Sequence, residues 1–380
     1  MSNLQSQDRK KLLFIIDNLS TGGAQRQMVQ LAVGLKHKGY EIEIFCYQEG
    51  DLLASPLYEE GIPVIWYEKK SRFSLDVFFA IRKLINQNHY DLVISFLTTP
   101  NFYAVLCGKF MGSPVPVIVS ERRADLPGGP DRMEQFARSI YSFADHIVVN
   151  SHHQREDLSR KYPRLAEKIT TIYNGFDLNK FSRPVNTHTN GNLDLLVVAS
   201  VGPYKNGLCL VEALKIMRDD YGLKPKVDWI GQQVPVGVYG EYLQKMNQKI
   251  EEYNLQDQWN WMGQRTDVID QMHSHDVLIH PSYVEGLPNV VCEALASSLP
   301  VIVSNTLDHP LLVQHNESGF LFDFQNPADL AEQIRQFNEL DLNERKRMGE
   351  CGRRYAEGNL ASERFITEYE QLIEKVLQNP

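Results

Sequence analysis

Two carboxylates eight residues apart, Glu285 and Glu293, stand in the segment Ser282-Tyr283-Val284-Glu285-Gly286-Leu287-Pro288-Asn289-Val290-Val291-Cys292-Glu293. Gly286 and Pro288 interrupt it, and a helix is expected to begin near Asn289. Glu285 then sits in a loop after a strand, and Glu293 about one turn into the helix. Both acids can face one ligand. The N–H groups from Gly286 through Leu287 and Asn289 to Val290 stand at a helix start, a place for an anion. Carboxylates repel a diphosphate, so these two are better suited to accept hydrogen bonds from hydroxyls, and sugar hydroxyls are the natural donors. A helix-dipole role explains Glu293 poorly, because it lies too far inside the helix, and gives no reason for Glu285.

Three other segments combine reactive residue types with backbone freedom. Ser20-Thr21-Gly22-Gly23-Ala24-Gln25-Arg26 follows the first expected strand and opens a helix. Gly22 and Gly23 let a backbone approach an anion, as at a phosphate site, and they equally suit a tight turn. The loop matches neither G-x-G-x-x-G nor a Walker A sequence. Ser200-Val201-Gly202-Pro203-Tyr204-Lys205-Asn206-Gly207 ends the first strand of the second half, and Lys205 there reads either as a phosphate partner or as a solvated turn lysine. Glu121-Arg122-Arg123-Ala124-Asp125 ends another strand. Its arginines fit an anionic substrate, and as a charge run they also fit a solvated loop.

The elements that must position these residues follow from the hydropathy pattern. Lys11–Asp17, Glu41–Tyr47, Pro63–Tyr67, Asp91–Phe96, Val115–Ser120 and His146–Asn150 are short, rich in Ile, Val and Phe, and several are apolar on both faces. That is the pattern of buried parallel strands. Amphipathic helical patterns alternate with them; in Ala24–Lys38 the residues Met28, Leu31, Ala32 and Leu35 share one face. The alternation restarts after a polar stretch, Ser182–Asn192, which reads as a linker and hinge. The expected fold is therefore α/β, with two Rossmann-like doubly wound domains in tandem. We place the first domain at 1–185 and the second at 186–360. The amphipathic stretch Ala361–Leu377 buries Phe365, Tyr369, Leu372, Ile373 and Val376 on one face, either on the second domain or by crossing back to the first. Ligands are expected in a cleft where the carboxyl ends of the two sheets face each other.

Composition narrows the class. The chain has 380 residues, is 43% hydrophobic and 23% charged, and carries a net charge of −9. It can bury a core, and the charge argues against broad nucleic-acid binding. No apolar run approaches the roughly 18 residues of a membrane span, and the N-terminus does not read as a signal peptide. The five cysteines are scattered without a C-x-x-C pair, which suits reduced thiols in a cytoplasmic protein. Within 69–83, Lys69, Lys70, Arg72, Arg82 and Lys83 accompany Phe73, Leu75, Phe78 and Phe79. Basic and aromatic residues on one helix suit an anionic lipid surface, and they equally suit a helix covering the sheet with its lysines in water.

With these residues in view, the chain resembles the retaining GT-B glycosyltransferases of family 4. Glu285 to Glu293 matches that family's E-x7-E motif, including the E-G-L-P-N wording. The Gly-Gly-Ala-Gln loop, Asn150-Ser151, Tyr173-Asn174-Gly175-Phe176-Asp177 and Gly263-Gln264-Arg265-Thr266-Asp267-Val268 also match. The resemblance runs from about Leu12 to the final helix. It implies a GT-B fold in which residues 361–380 cross back to the N-terminal, acceptor-binding domain. The donor nucleotide-sugar would lie mainly in the C-terminal domain. Lys205 would neutralise the diphosphate, Glu293 would take the ribose hydroxyls, and Glu285 would bind the transferred sugar with help from backbone N–H groups in the donor-binding segment Gly286, Leu287, Pro288 and Asn289, the proline itself having none to donate. Gly22 and Gly23 would approach the phosphates, and Arg265 and Thr266 the base. The family needs no catalytic metal or other cofactor, and no D-x-D triplet occurs here.

Two positions depart from many relatives. Ser200 stands where an arginine precedes the lysine by five residues, and Arg122 stands where a histidine follows the acid of strand five. The Ser-Glu-Arg version resembles a subgroup acting on polyprenyl-diphosphate-linked sugars in O-antigen, capsule or glycan assembly. Glu121, Arg122 and Arg123 would then meet the acceptor. The implied activity is a retaining hexosyl transfer from a nucleotide-sugar, UDP-sugars first, at the cytoplasmic face of the inner membrane. Lys205, helix-start amides and Arg122 would stabilise the departing diphosphate. A nucleotide-sugar-binding protein without transferase activity and a GT-B sugar epimerase remain as alternatives. A nicotinamide dehydrogenase is disfavoured, because the expected glycine motif is absent after strand one.

Overall fold

The computed structural model describes residues 9–20, 22–69, 75–110, 114–122, 124–125, 128–130, 132–182 and 192–378. The chain forms two compact units, Met1–Gly175 with Ser362–Pro380, and Phe176–Ala361. Thr21, Lys70, Arg72, Phe73 and Arg123 lie outside the described residues, as does the 183–191 stretch of the expected hinge.

The first unit is built on seven strands: β1 (Lys11–Ile16), β2 (Glu41–Cys46), β3 (Val64–Trp66), β4 (Leu92–Phe96), β5 (Val117–Glu121), β6 (His146–Val149) and β7 (Ile169–Thr171). Their order is β3-β2-β1-β4-β5-β6-β7, and every pair is parallel. Helices cover both faces, so both faces of each strand are buried. Leu12, Phe14 and Ile16 enter one core, while Leu13 and Ile15 enter the other. This two-sided burial is why β1 reads as an unbroken apolar run.

The second unit repeats the plan with β8 (Asp194–Val198), β9 (Lys226–Ile230), β10 (Trp259–Gly263), β11 (Val277–His280), β12 (Val301–Ser304) and β13 (Gly319–Phe322). The order is β10-β9-β8-β11-β12-β13, again all parallel. Each sheet winds outward in both directions from its first strand. The loops after β1 and β4 in one unit, and after β8 and β11 in the other, are therefore neighbours at a topological switch point.

The C-terminal helix, Ser362–Gln378, belongs to the first unit. Phe365, Tyr369, Leu372, Ile373 and Val376 enter its core beside the Gly23–His37 helix. Gly34 makes room for it, since a Cβ there would stand 2.2 Å from the Ile366 side chain. The sequence boundaries need correction. The chain leaves the first unit at Gly175 rather than at 185, and Phe176 already pairs with Leu360 in the second unit through a 2.8 Å backbone hydrogen bond. Gln27 anchors the exit, because its amide both donates to Gly175 O and accepts from Gly175 N at 2.9 Å. Ser182–Asn192 thus lies within the sequence of the second unit and does not mark the passage between units.

The basic segment also needs correction. In the Leu75–Asn88 helix, Arg82 is buried and its Nη1 donates to Cys107 O at 2.7 Å, while Phe78 is buried in the core. Leu75, Phe79 and Lys83 face outward. A side chain long enough to reach a core carbonyl satisfied it, which residue type alone did not reveal. Among the described residues no helix is long and apolar enough to cross a membrane.

Candidate active site

The switch point of the second sheet gathers the strongest candidates. After β8 the chain makes one short turn, Pro203–Lys205, places Asn206 in the left-handed region at φ 55°, and enters the Gly207–Tyr221 helix. Gly207 is required by close packing, since a Cβ would stand 2.5 Å from Met246 and 2.9 Å from Trp229. Asn206 Nδ2 donates to Phe324 O at 2.8 Å and pins the turn. The loop after β11 is tied to it: Tyr283 N and Ser282 Oγ both donate to Tyr204 O, at 3.0 and 3.1 Å. These bonds bring Lys205 and Glu285, 80 residues apart in sequence, into a direct ion pair.

A third residue completes the cluster. His280, the last residue of β11, is 2% exposed and its Nε2 lies 3.2 Å from Glu285 Oε1. Burial alone would push the Glu285 carboxyl up, but His280 and Lys205 together hold it well below the usual carboxylate range. Burial lowers the His280 imidazole pKa, against the opposing pull of Glu285. Lys205 and Glu285 keep 25% and 16% side-chain exposure, so a ligand can reach them. Immediately beyond, the Asn289–Ala296 helix begins after Pro288. The amides of Val291 and Cys292 bond to Pro288 O at 3.0 and 3.2 Å and close the first turn of this helix. Glu293 lies on this helix and is partly exposed. The arrangement offers one ammonium, a carboxylate it can release, and helix-start amides, which suits a sugar linked to a diphosphate.

His280 and His309 were not singled out by the sequence; the only signal was a histidine closing an apolar strand five residues before Glu285. The His309 ring is fully buried, 5.3 Å from the His280 ring, and its Nδ1–H donates to Ser304 O at 2.8 Å. Burial, reinforced by His280, pulls its pKa down to about 3. The unfolded value is near 6.5, so between these limits the unfolded chain binds the extra proton. Stability from this group is full above pH 6.5 and lost as pH falls toward 3. We expect acid to weaken folding across that window, and the His309→Asn variant to show a slope shallower by up to ~1.4 kcal/mol per pH unit in urea titrations. Identical slopes in the two proteins would remove His309 as the cause.

Arg265 and Thr266 follow β10, at the sheet edge two strands from β8, roughly 10 Å away. Both are exposed, and Arg265 is held by Asp267, with Nε–Oδ1 at 2.7 Å. Ser200 is exposed at the end of β8.

In the first unit, Gly22 caps the Gly23–His37 helix. A Cβ on Gly22 would stand 1.9 Å from Gln25 Oε1, because Gln25 folds back over the turn and donates to Asp17 at 3.1 Å. Across the switch point, Leu97 holds φ 79°, a conformation L residues rarely take, as it caps the Thr98–Lys109 helix. Glu121 differs from its expected role. It is 1% exposed, and its oxygens are taken by Tyr141, Asn101 and Arg138. It is an internal anchor and does not face a ligand. Arg122 lies in a cage that sequence reasoning missed. Its guanidinium stands 4.4 Å over Phe96 and 5.8 Å from Phe365 and Tyr369, and it donates to Asn174 and to the Tyr369 hydroxyl. These partners among the described residues are all neutral. Two of them come from the C-terminal helix.

Two all-parallel Rossmann-like units with the last helix returned to the first define the GT-B class of glycosyltransferase folds. The chain matches the family model Glycosyltransferase Family 4 over residues 21–180 and Glycosyl transferases group 1 over residues 179–355, and it belongs to this glycosyltransferase family. It is 25% identical over 343 residues to the GalNAc-alpha-(1->4)-GalNAc-alpha-(1->3)-diNAcBac-PP-undecaprenol alpha-1,4-N-acetyl-D-galactosaminyltransferase of Campylobacter jejuni, covering 88% of this chain and 89% of that protein. It is 23% identical over 324 residues to the UDP-Gal:alpha-D-GlcNAc-diphosphoundecaprenol alpha-1,3-galactosyltransferase of Escherichia coli, covering 80% and 81%. Its fold is similar to that of Anabaena HepE in complex with UDP, with a TM-score of 0.81, 18% identity, and coverage of 96% of this chain and 100% of that one.

Proposed function

We propose that the protein transfers a hexose or N-acetylhexosamine, with retention, from a nucleotide-sugar to a sugar carried on polyprenyl diphosphate, in the assembly of a surface polysaccharide or glycan. The observation that carries this reading is the Lys205–Glu285–His280 cluster beside a helix start at the switch point of the second sheet. In this reading the donor diphosphate takes Lys205 from Glu285, and the freed carboxylate accepts hydroxyls of the transferred sugar. Glu293 takes the ribose hydroxyls, the amides from Gly286 to Asn289 approach the phosphates, and Arg265 and Thr266 the base. As the glycosidic bond breaks, Lys205 and the amides stabilise charge growing on the leaving phosphate. The acceptor hydroxyl attacks from the same face, and a phosphate oxygen takes its proton. Arg122, Gly22 and Gly23 belong to the first unit, in the segments that follow β5 and β1. The charge stabilisation comes from protein groups, so the reaction proceeds without a metal ion. The names of the two relatives above, both acting on undecaprenyl-diphosphate sugars, support the acceptor class, and the first also supports an N-acetylated donor. Exposed Leu75, Phe79 and Lys83 support peripheral binding to anionic lipid at the cytoplasmic face.

The test is a donor screen, UDP-sugars first, with polyprenyl-diphosphate sugars in anionic vesicles. We expect acceptor-dependent nucleotide release, an α-linked product from an α-linked donor, unchanged turnover with EDTA, and salt-sensitive flotation with the vesicles. Nucleotide release without any acceptor sugar points instead to an epimerase. Nucleotide-sugar binding with no release under any condition points to a binding protein. Loss of activity with EDTA removes the metal-free mechanism.

A further inference from the structure

A second concave site lies in the first unit, away from every residue used above except the loop it borders. It is a cavity of about 630 Å³ across the carboxyl ends of β2 and β3, in the size range of small-molecule sites. Tyr47, the residue after β2, lines it. Its side chain is fully buried, and its hydroxyl meets no hydrogen-bond partner among the described residues. A buried phenol without a partner is costly, and a ligand acceptor would relieve that cost. The Lys69 ammonium stands 5.5 Å over the Tyr47 ring and 6.0 Å over the Tyr103 ring. Trp66 closes β3, and it stays 41% exposed while its Nε1 donates to Tyr58 OH at 3.1 Å. That bond fixes the indole as a wall. Glu49 and Glu68 also line the cavity. The site is joined to the loop after β1, because Tyr47 N and Gln48 N both donate to Asp17 O, at 3.0 and 2.8 Å.

The chemistry selects the ligand. Among the described lining residues two carboxylates stand against one ammonium, which disfavours a phosphate or a nucleotide. The same carboxylates accept hydrogen bonds from hydroxyls, the phenol and ammonium donate to ring or hydroxyl oxygens, and the indole offers an apolar face. We propose that this cavity binds a neutral, hydroxyl-bearing pyranose ring. Its assignment to the acceptor's sugar rests on the transferase reading; the sugar site itself does not.

The probes are the methyl α-glycosides of N-acetylgalactosamine, galactose and glucose, titrated into the full chain and followed by saturation-transfer NMR, with UDP titrated separately. We expect saturation transfer to at least one glycoside, abolished by Trp66→Ala. Tyr47→Phe, nearly isosteric and so a safeguard if the first variant misfolds, is expected to weaken binding about 3–10-fold. UDP affinity should be the same in all three proteins. No saturation transfer to any glycoside with folded wild-type protein overturns the proposal, as do equal signals in the wild type and both variants. If the glycosides bind here while UDP does not bind the protein, the transferase reading fails and the sugar site stands.

Discussion

Lys205→Ala should lower turnover about 10²–10³-fold while the protein still folds. The argument rests on where charge grows. Transfer of the sugar leaves a nucleotide diphosphate, and Lys205 is the ammonium at the switch point of the second sheet, part exposed and next to a helix start. An electrostatic donor already in place when charge develops costs no reorganisation, so its loss falls on kcat more than on KM. The fold should tolerate the change. Glu285 keeps His280 at 3.2 Å, and the turn itself is held by Asn206 and the Tyr204 carbonyl. We expect ~1–2 kcal/mol of lost stability, from a half-buried pair that gives up one partner. Kinetics with the best donor, beside a urea unfolding curve, separate the two effects. A kcat within twofold of wild type would remove Lys205 from the chemistry.

Glu285→Gln should divide binding from turnover in opposite directions. Without ligand, Glu285 acts as an internal anion on Lys205, held ionised by that ammonium and by His280. A diphosphate must displace it. Glutamine keeps the shape and removes the competing charge, so free UDP should bind about 3–10-fold more tightly, the equivalent of ~1 kcal/mol. The transferred sugar, however, loses a charged acceptor for its hydroxyls, and hydrogen bonds to charged groups are worth ~1.5–3 kcal/mol. With misplacement of the reacting carbon added, kcat should fall about 10²-fold or more. Calorimetry with UDP and steady-state rates read the two effects separately. Weaker UDP binding together with wild-type turnover would break the assignment of Glu285.

Much of the fold was legible in the sequence because of two-sided burial. Strands covered on both faces are apolar nearly throughout, so β1 and β4 stand out, while in β2 the residues Ile42 and Ile44 alternate with Glu41 and Glu43. The periodicity of the last helix selected all five residues that enter the core. The three strands not anticipated have local reasons. β7, Ile169–Thr171, is a three-residue edge strand with two threonines. β10, Trp-Asn-Trp-Met-Gly, is a polar-interrupted edge, and β13 is a four-residue strand that begins with glycine.

Sequence by itself determined the alternation of strand and helix, the glycine-bearing loops and the paired acids. These depend on local preferences: burial periodicity, turn chemistry and helix starts. Only tertiary structure decided that Lys205 meets Glu285 and His280, that Glu121 turns inward, and that Arg122 is caged by the C-terminal helix. Which loops become neighbours depends on strand order, and β8 lies beside β11 because the sheet reverses its winding there. That reversal is set by packing of the whole sheet, and no window of the chain shorter than the unit contains it.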